Sequence, residues 1–483
     1  MLGSNEMCRM EAVELADRIR KKELSPVEVV DAVLERMEAL EPRLHAFCTP
    51  TPELAREEAR RAEEKISSDE EAGPLFGVPV GIKDLHAAKG IRMTMGSRAY
   101  EDFVPEEDDV AVERLKEAGA IILGKTSVPE FGYSGASDNP VFESTTNPWD
   151  TRLTSGGSSA GSAAVATGMG PIALGSDGGG SVRIPASFCG LFGMKASMGQ
   201  VPLYPGCRDE SRPGMSSWES LEHIGPLSRT VRDGALMLSV MAGPDDRDRH
   251  SLPEAHFEWE EAPEGGVRGL RVAYSPDWGY AAVDPEVRRV VGEAVRVFEE
   301  ELGCSVEEAH PGFEDPYEDF LAHLALDTDL VGMRKLAEEL GDEMSPHIVE
   351  FLRQEWTAED LTNAVMTRKG VYNRMWRFMR DYDLLLTPTL AVPPFETGVV
   401  GPEVIDGREV DVFYWLSFTY PTNMTGQPAA TVPAGSTQDG LPVGMQIVGR
   451  HLDDPLVLRA SAAFEAARPW KDRWPPILDE LGL

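Results

Sequence analysis

The stretch LGSDGGGSVRIP, from Leu174 to Pro185, places three consecutive glycines directly before a serine, Ser181. A glycine in ordered backbone costs roughly 0.5–1 kcal/mol relative to alanine, so three in a row call for a chemical reason. Backbone amides that converge on one point hold developing negative charge, and glycines let them approach it with no Cβ in the way. A strand ending at Asp177, a glycine nest and a helix opening near Ser181 would aim the amides of Gly178, Gly179, Gly180 and Ser181 at one such point. Ser181 would then be a nucleophile beside its own oxyanion hole. For this motif alone, a tight strand-to-helix turn without chemistry is the plain alternative.

A serine hydroxyl is a weak nucleophile until a base takes its proton. A second serine cluster, GGSSAGSAA at 156–164, contains the G-x-S-x-G elbow pattern with Ser159 at its centre. An α/β-hydrolase-type esterase built on Ser159 would need an acid and then a histidine further along. Of the late histidines, His451 in VGRHLDD is the best placed, at a strand end. Lys83 offers another base: it closes the apolar run FGVPVGI, and burial disfavours the charged form of a lysine. Taken alone, Lys83 could equally pair with its neighbour Asp84.

Positioning these groups requires a scaffold. Ser25-Pro26 and Thr51-Pro52 read as helix starts, an N-cap followed by proline at the first helical position, within an N-terminal helical region at 1–66. A catalytic core at about 75–250 alternates apolar, β-branched runs (LFGVPVGIKD, AIILGKT, PIALGSD) with helical patterns (DDVAVERLKEAG, SSAGSAAVATG, SVRIPASFCG). That alternation predicts an α/β fold with a largely parallel or mixed sheet. A mainly helical excursion follows at about 313–415, and LLLTP, AATVPAG and VGMQIVG return the chain to the core, the last two within 416–483. No repeat or linker interrupts 1–483, so one domain is expected.

Composition narrows the partners. The net charge is −36, from 46 basic and 82 acidic residues, a field that repels nucleic acid and anionic membranes. No run approaches the ~18 apolar residues of a membrane span, and the first residues lack a signal peptide's apolar region. The five cysteines, at 8, 48, 189, 207 and 304, form no C-x-x-C pair. That argues against a disulfide framework or a zinc site and fits a reducing, cytoplasmic setting.

Lys83 within GVPVGIKDL, then GGSSAGSAA, then GSDGGGSVRIPASFCG, resembles the amidase signature family, and the likeness continues through FTYPTNMTGQPAATVPAG (418–435) and LPVGMQIVG (441–449). The resemblance implies the amidase signature fold, a central mixed β-sheet covered by helices on both faces, and a Ser-cisSer-Lys triad. By that resemblance Ser181 corresponds to the acylated nucleophile, Ser158 to the bridging serine after a cis peptide bond, and Lys83 to the general base. Asp177 and Arg183 resemble positions that brace the nucleophile loop, and Ser159 becomes a supporting group. Two departures stand out: many members carry threonine or isoleucine where this chain has Gly178, and the 23-residue step from Ser158 to Ser181 is one shorter than the family's.

The implied activity is hydrolysis of carbon–nitrogen bonds in small amides, carbamates included, through an acyl-enzyme and without metal or cofactor. Phe413, Tyr414, Trp415, Phe418 and Tyr420 suggest an apolar or aromatic substrate, with Tyr414 and Trp415 expected at the pocket and core packing as the plain alternative. Tyr133 resembles a pocket-facing family position. Relatives are often dimers, which leaves a homodimer open. The glutaminase subunit of a tRNA-dependent amidotransferase shares this core and is the main alternative; the aromatic segment 411–426 is unlike a site for polar glutamine.

Overall fold

The computed structural model describes residues 3–68, 72–203, 209–253 and 258–483; Cys207 lies outside them. Ser25 caps its helix, Pro26–Leu44, as the sequence predicts, its hydroxyl accepting from the Val27 and Glu28 amides. Thr51 precedes a helix, Pro52–Ser67, but its hydroxyl points elsewhere, donating to the Ile122 carbonyl at 3.4 Å.

Eleven strands form the central sheet. In chain order they are β1 (Phe47–Pro50), β2 (Pro79–Lys83), β3 (Ile121–Thr126), β4 (Ile172–Asp177), β5 (Phe192–Lys195), β6 (His223–Ser228), β7 (Arg271–Tyr274), β8 (Ser305–Glu308), β9 (Leu384–Pro388), β10 (Ala429–Ser436) and β11 (Pro442–Gly449). Across the sheet the order is β1-β3-β2-β4-β6-β5-β10-β11-β9-β7-β8. β2 runs parallel to β3 and β4, whereas β4 to β6 and β10 to β11 are antiparallel, so the sheet is mixed. Helices cover both sides of it. β2 and β4 are buried at every position, which explains why their sequences are continuous apolar runs rather than alternating ones.

Sequence reading missed β1, β5, β6 and β8, four-to-six-residue strands. β6, HIGPLS, carries a glycine and a proline, and β8, SVEE, is largely exposed at the sheet edge, so neither shows an apolar run.

Parallel pairing of β2 with β4 matters most for chemistry. Ile82 pairs with Leu174, which brings Lys83, the last residue of β2, alongside the end of β4. The loops beyond the carboxyl ends of such strands are where open α/β sheets build their sites.

Candidate active site

Lys83 is 1% exposed, and its Nζ lies 2.8 Å from Ser158 Oγ and 3.0 Å from both the carbonyl and the hydroxyl oxygen of Ser176. Burial pushes its ammonium down to about 8, against the opposing pull of the Glu222 and Asp177 carboxylates. Asp84, the neighbour that could have neutralised it, turns to Lys125 at 3.1 Å and accepts from Thr94 and Met95. Lys125 also donates to the His86 carbonyl, and a third buried lysine, Lys195, donates to the Gln427 carbonyl. Of the three, Lys83 is the one that meets serine hydroxyls.

Ser158 follows a cis peptide bond, Gly157–Ser158, in the loop before the helix Gly161–Ala166. Ser181 lies between β4 and the helix Arg183–Cys189, with 8% of its surface exposed. Lys83, Ser158, Ser176 and Ser181 line one cavity together.

The loop carrying Ser181 is braced from beneath. Asp177 accepts from Arg183 Nε at 2.9 Å and Nη2 at 2.7 Å, from the Gly180 amide at 2.8 Å and from Asn423 Nδ2 at 2.9 Å. Arg183 also donates to Thr422 Oγ1, to the Thr419 carbonyl and to Gln446 Oε1, all buried. Burial alone would raise the Asp177 carboxyl, but the Arg183 guanidinium outweighs it and holds the acid well below its usual range. The bracing corrects one expectation. The Gly180 N–H is committed to Asp177, so it cannot also face an oxyanion; the amides of Gly178, Gly179 and Ser181 donate to no group among the described residues. Gly180 instead serves geometry: its φ is +132°, and a Cβ there would stand 2.5 Å from Thr419 Oγ1.

Ser159 is fully buried; its Oγ donates to the Ser176 carbonyl at 3.2 Å, and its amide donates to the Ser181 carbonyl. It ties the two serine segments together and presents nothing to a cavity. His451, exposed and edge-on to Tyr372, lines neither of the cavities around Ser181. Neither position supports the esterase elbow.

Ser181 borders two clefts, both open to solvent. The first, beside Lys83, is walled by Met93, Met95, Met215 and Met333; the second by Phe320, Phe351, Phe413 and Tyr420. Tyr133 lines both, as expected. Tyr414 and Trp415 line neither. Trp415 is fully buried, stacked on Phe188 at 5.6 Å with its Nε1 donating to the Val400 carbonyl, and Tyr414 donates to the Tyr280 carbonyl. Trp415 is core, because a tryptophan whose N–H finds a carbonyl packs inside as readily as at a pocket, and Tyr414 packs half-buried against that core.

Sequence reasoning also missed Trp218, Ser176, Thr419 and Asn423. Ser176 sits within the quoted GSDGGGS, and Thr419 and Asn423 within FTYPTNMTG, so their motifs were visible although their contacts were not. Trp218 stands in a loop with no periodic signal.

A family model described as Amidase matches residues 28–458. An acylamidase of Rhodococcus erythropolis is 40% identical over 96% of this chain and 97% of its own. A glutamyl-tRNA(Gln) amidotransferase subunit from Carboxydothermus hydrogenoformans is 36% identical over 95% of this chain and 97% of its own. The crystal structure of a bacterial aryl acylamidase superposes with a TM-score of 0.88 at 33% identity, covering 95% of this chain and 96% of that one. The chain belongs to the amidase signature family and is a hydrolase of carbon–nitrogen bonds other than peptide bonds.

Proposed function

We propose that the protein is a stand-alone amidase that cleaves small apolar or aromatic amides through an acyl-Ser181 intermediate, with Ser158 and Lys83 as its proton relay. The observation that carries this reading is the environment of the Lys83 amine. A neutral amine has two N–H bonds and one lone pair. With the carbonyl and hydroxyl oxygens of Ser176 taking the two hydrogens, the lone pair is left for the Ser158 hydroxyl hydrogen, 2.8 Å between heavy atoms. Ser158 in turn accepts the proton of Ser181 as Oγ attacks the amide carbonyl. The tetrahedral oxyanion rests on the free amides of Gly178, Gly179 and Ser181, where one lost donor costs about 2.7–4 kcal/mol of barrier. The relay then returns the proton to the leaving nitrogen, which answers the main difficulty of amides. Water repeats the attack on the ester and releases a carboxylate.

Apolar substrates suit the cleft walls, methionines on one side of Ser181 and aromatic rings on the other. Among the described residues lining the two clefts, Lys83 is the sole lysine or arginine. The α-carboxylate of glutamine, which a guanidinium would ordinarily clamp, has no such partner there. That observation favours the amidase over the amidotransferase component.

The test is turnover of an anilide, a fatty amide, a carbamate and glutamine by the purified chain, without ATP or partner proteins. Hydrolysis of an apolar amide, abolished in Ser181→Ala, is the expected result. Turnover of glutamine alone would replace this reading with the amidotransferase one.

A further inference from the structure

Gly178 is not an open position. A Cβ built on it would lie 2.6 Å from Trp218 Cε3 and 3.2 Å from Cζ3. A Cβ does not sit that close to a ring carbon, so a side chain at 178 requires the indole to shift. The indole thus occupies the space that a side chain at 178 would take.

Trp218 also lines the clefts on both sides of Ser181. Four residues border both clefts: Gly132, Tyr133, Ser181 and Trp218. Ser181 is thus at a waist, and Trp218 is the bulkiest part of its wall. The ring is fixed by a chain of hydrogen bonds whose direction can be deduced. Thr328 Oγ1 donates to the Leu324 carbonyl at 2.6 Å, so at 2.6 Å from Tyr133 it must accept, and Tyr133 gives its proton to it. The Tyr133 oxygen is then free to accept from Trp218 Nε1 at 3.2 Å. The two rings meet edge to face, 4.6 Å apart at 76°. Every proton in the chain is committed, and the indole is held by this hydrogen bond and by the edge-to-face contact.

We propose that Trp218 is a specificity-determining residue: held by Tyr133 and seated in the space left by Gly178, it limits substrates to amides that are flat and unbranched on either side of the scissile bond. Anilides of straight-chain acids fit this waist, since the planar amide continues into a planar ring. Amides branched at the carbon next to the carbonyl, or alkylated on nitrogen, would drive a methyl group into the indole. The inference rests on Ser181 as the point of attack and adds what the site admits.

The experiment compares kcat/KM for acetanilide and for its trimethylacetyl counterpart, in wild type, Trp218→Ala, Gly178→Thr and the double variant. Wild type should prefer acetanilide. Trp218→Ala should narrow that preference by roughly tenfold or more, the usual effect of one or two methyl groups in a fitted pocket. Gly178→Thr should depress both substrates, and adding Trp218→Ala should restore most of the loss. An unchanged preference in Trp218→Ala, or a double variant no better than Gly178→Thr, would overturn the proposal. Thermal melting guards against misfolding, and Trp218→Phe, with a smaller ring, should fall between wild type and Trp218→Ala. Failure of the nucleophile assignment shows separately, as turnover surviving in Ser181→Ala, and leaves the wild-type preference measurable.

Discussion

Lys83 Nζ lies 2.8 Å from Ser158 Oγ, while the carboxylate of the very next residue, Asp84, faces Lys125 instead. Asp84 lies one residue past the end of β2, in the turn that follows, where the Thr94 and Met95 amides and Lys125 take up its carboxylate. The amine is denied its counter-ion and given serine oxygens.

That arrangement fixes a pH dependence. The Lys83 amine must be neutral to take a proton, and burial brings its pKa down to about 8. Below that value the ammonium form dominates. The kcat/KM of an amide should therefore rise with pH, by about tenfold per unit on the acid side, and level off above the Lys83 pKa. Lys83→Arg keeps its charge at any accessible pH and should be inactive throughout. A pH–rate profile from 5 to about 10 measures both.

Ser158 and Ser181 should fail in different ways. Ser181→Ala removes the nucleophile proposed above, so no covalent adduct should form with any amide or carbamate. Ser158→Ala leaves the nucleophile but interrupts its proton path, a loss of about 10²–10⁴ in rate for such transfers. Intact-mass spectrometry after incubation with a carbamate should show a slow adduct on Ser158→Ala and none on Ser181→Ala.

Gly180→Ala should damage both stability and rate. The native φ of +132° is strained for alanine, and its Cβ would press on Thr419 Oγ1, which donates to the Gly179 carbonyl at 2.6 Å. A forced φ of this kind costs on the order of 1–3 kcal/mol. Because Gly179 and Ser181 flank Gly180, the loop's displacement should also move the amides proposed as oxyanion donors. Urea unfolding and kcat on one anilide read the two effects.

Removing Arg183 tests the brace. Arg183→Met leaves the Asp177 carboxylate buried without its counter-charge, and breaking such a pair costs about 3–5 kcal/mol. Asp177 has a folded pKa below its unfolded one. Its stabilising contribution is therefore present above the ordinary carboxyl range near 3.9 and fades as pH falls through and below it. Asp177→Asn should be less stable at neutral pH and should lose less on acidification than wild type, in equilibrium unfolding at pH 7 and about pH 3.

Much of the site was legible because its chemistry is local in sequence: GVPVGIKD, GGSSAGSAA and GSDGGGSVRIP each lie at one strand end or one turn. Buried strands such as LLLTP announced themselves by composition. Illegible were the features that depend on which elements meet. Tyr414 and Trp415 read as pocket residues because aromatic clusters suit pockets and cores alike, and only packing against Phe188 and Val400 decides. The Gly180 amide read as an oxyanion donor because sequence does not reveal that Asp177 folds back to claim it. Trp218 gave no signal, since a loop tryptophan gains its meaning from Gly178, 40 residues earlier in the chain.

The last prediction separates two buried lysines. Lys83 carries a depressed pKa of about 8, whereas an unfolded lysine titrates near 10.4. Between those values the unfolded chain binds a proton that the folded chain does not, so stability contributed through Lys83 rises with pH, by about 1.4 kcal/mol per unit, across that window. Below about pH 8 both states are protonated and the folded state bears the full cost of a buried ammonium. Lys83→Met should abolish this slope, so the wild-type minus variant stability difference should increase from pH 8 to about 10. Lys125→Met behaves oppositely in kind: it strands the buried Asp84 carboxylate and should cost about 3–5 kcal/mol at neutral pH. Urea titrations of the three proteins at pH 7, 8, 9 and about 10 make the comparison. A Lys83→Met curve parallel to wild type across that range would mean that the amine is not held neutral, and the relay through Ser158 would lose its base.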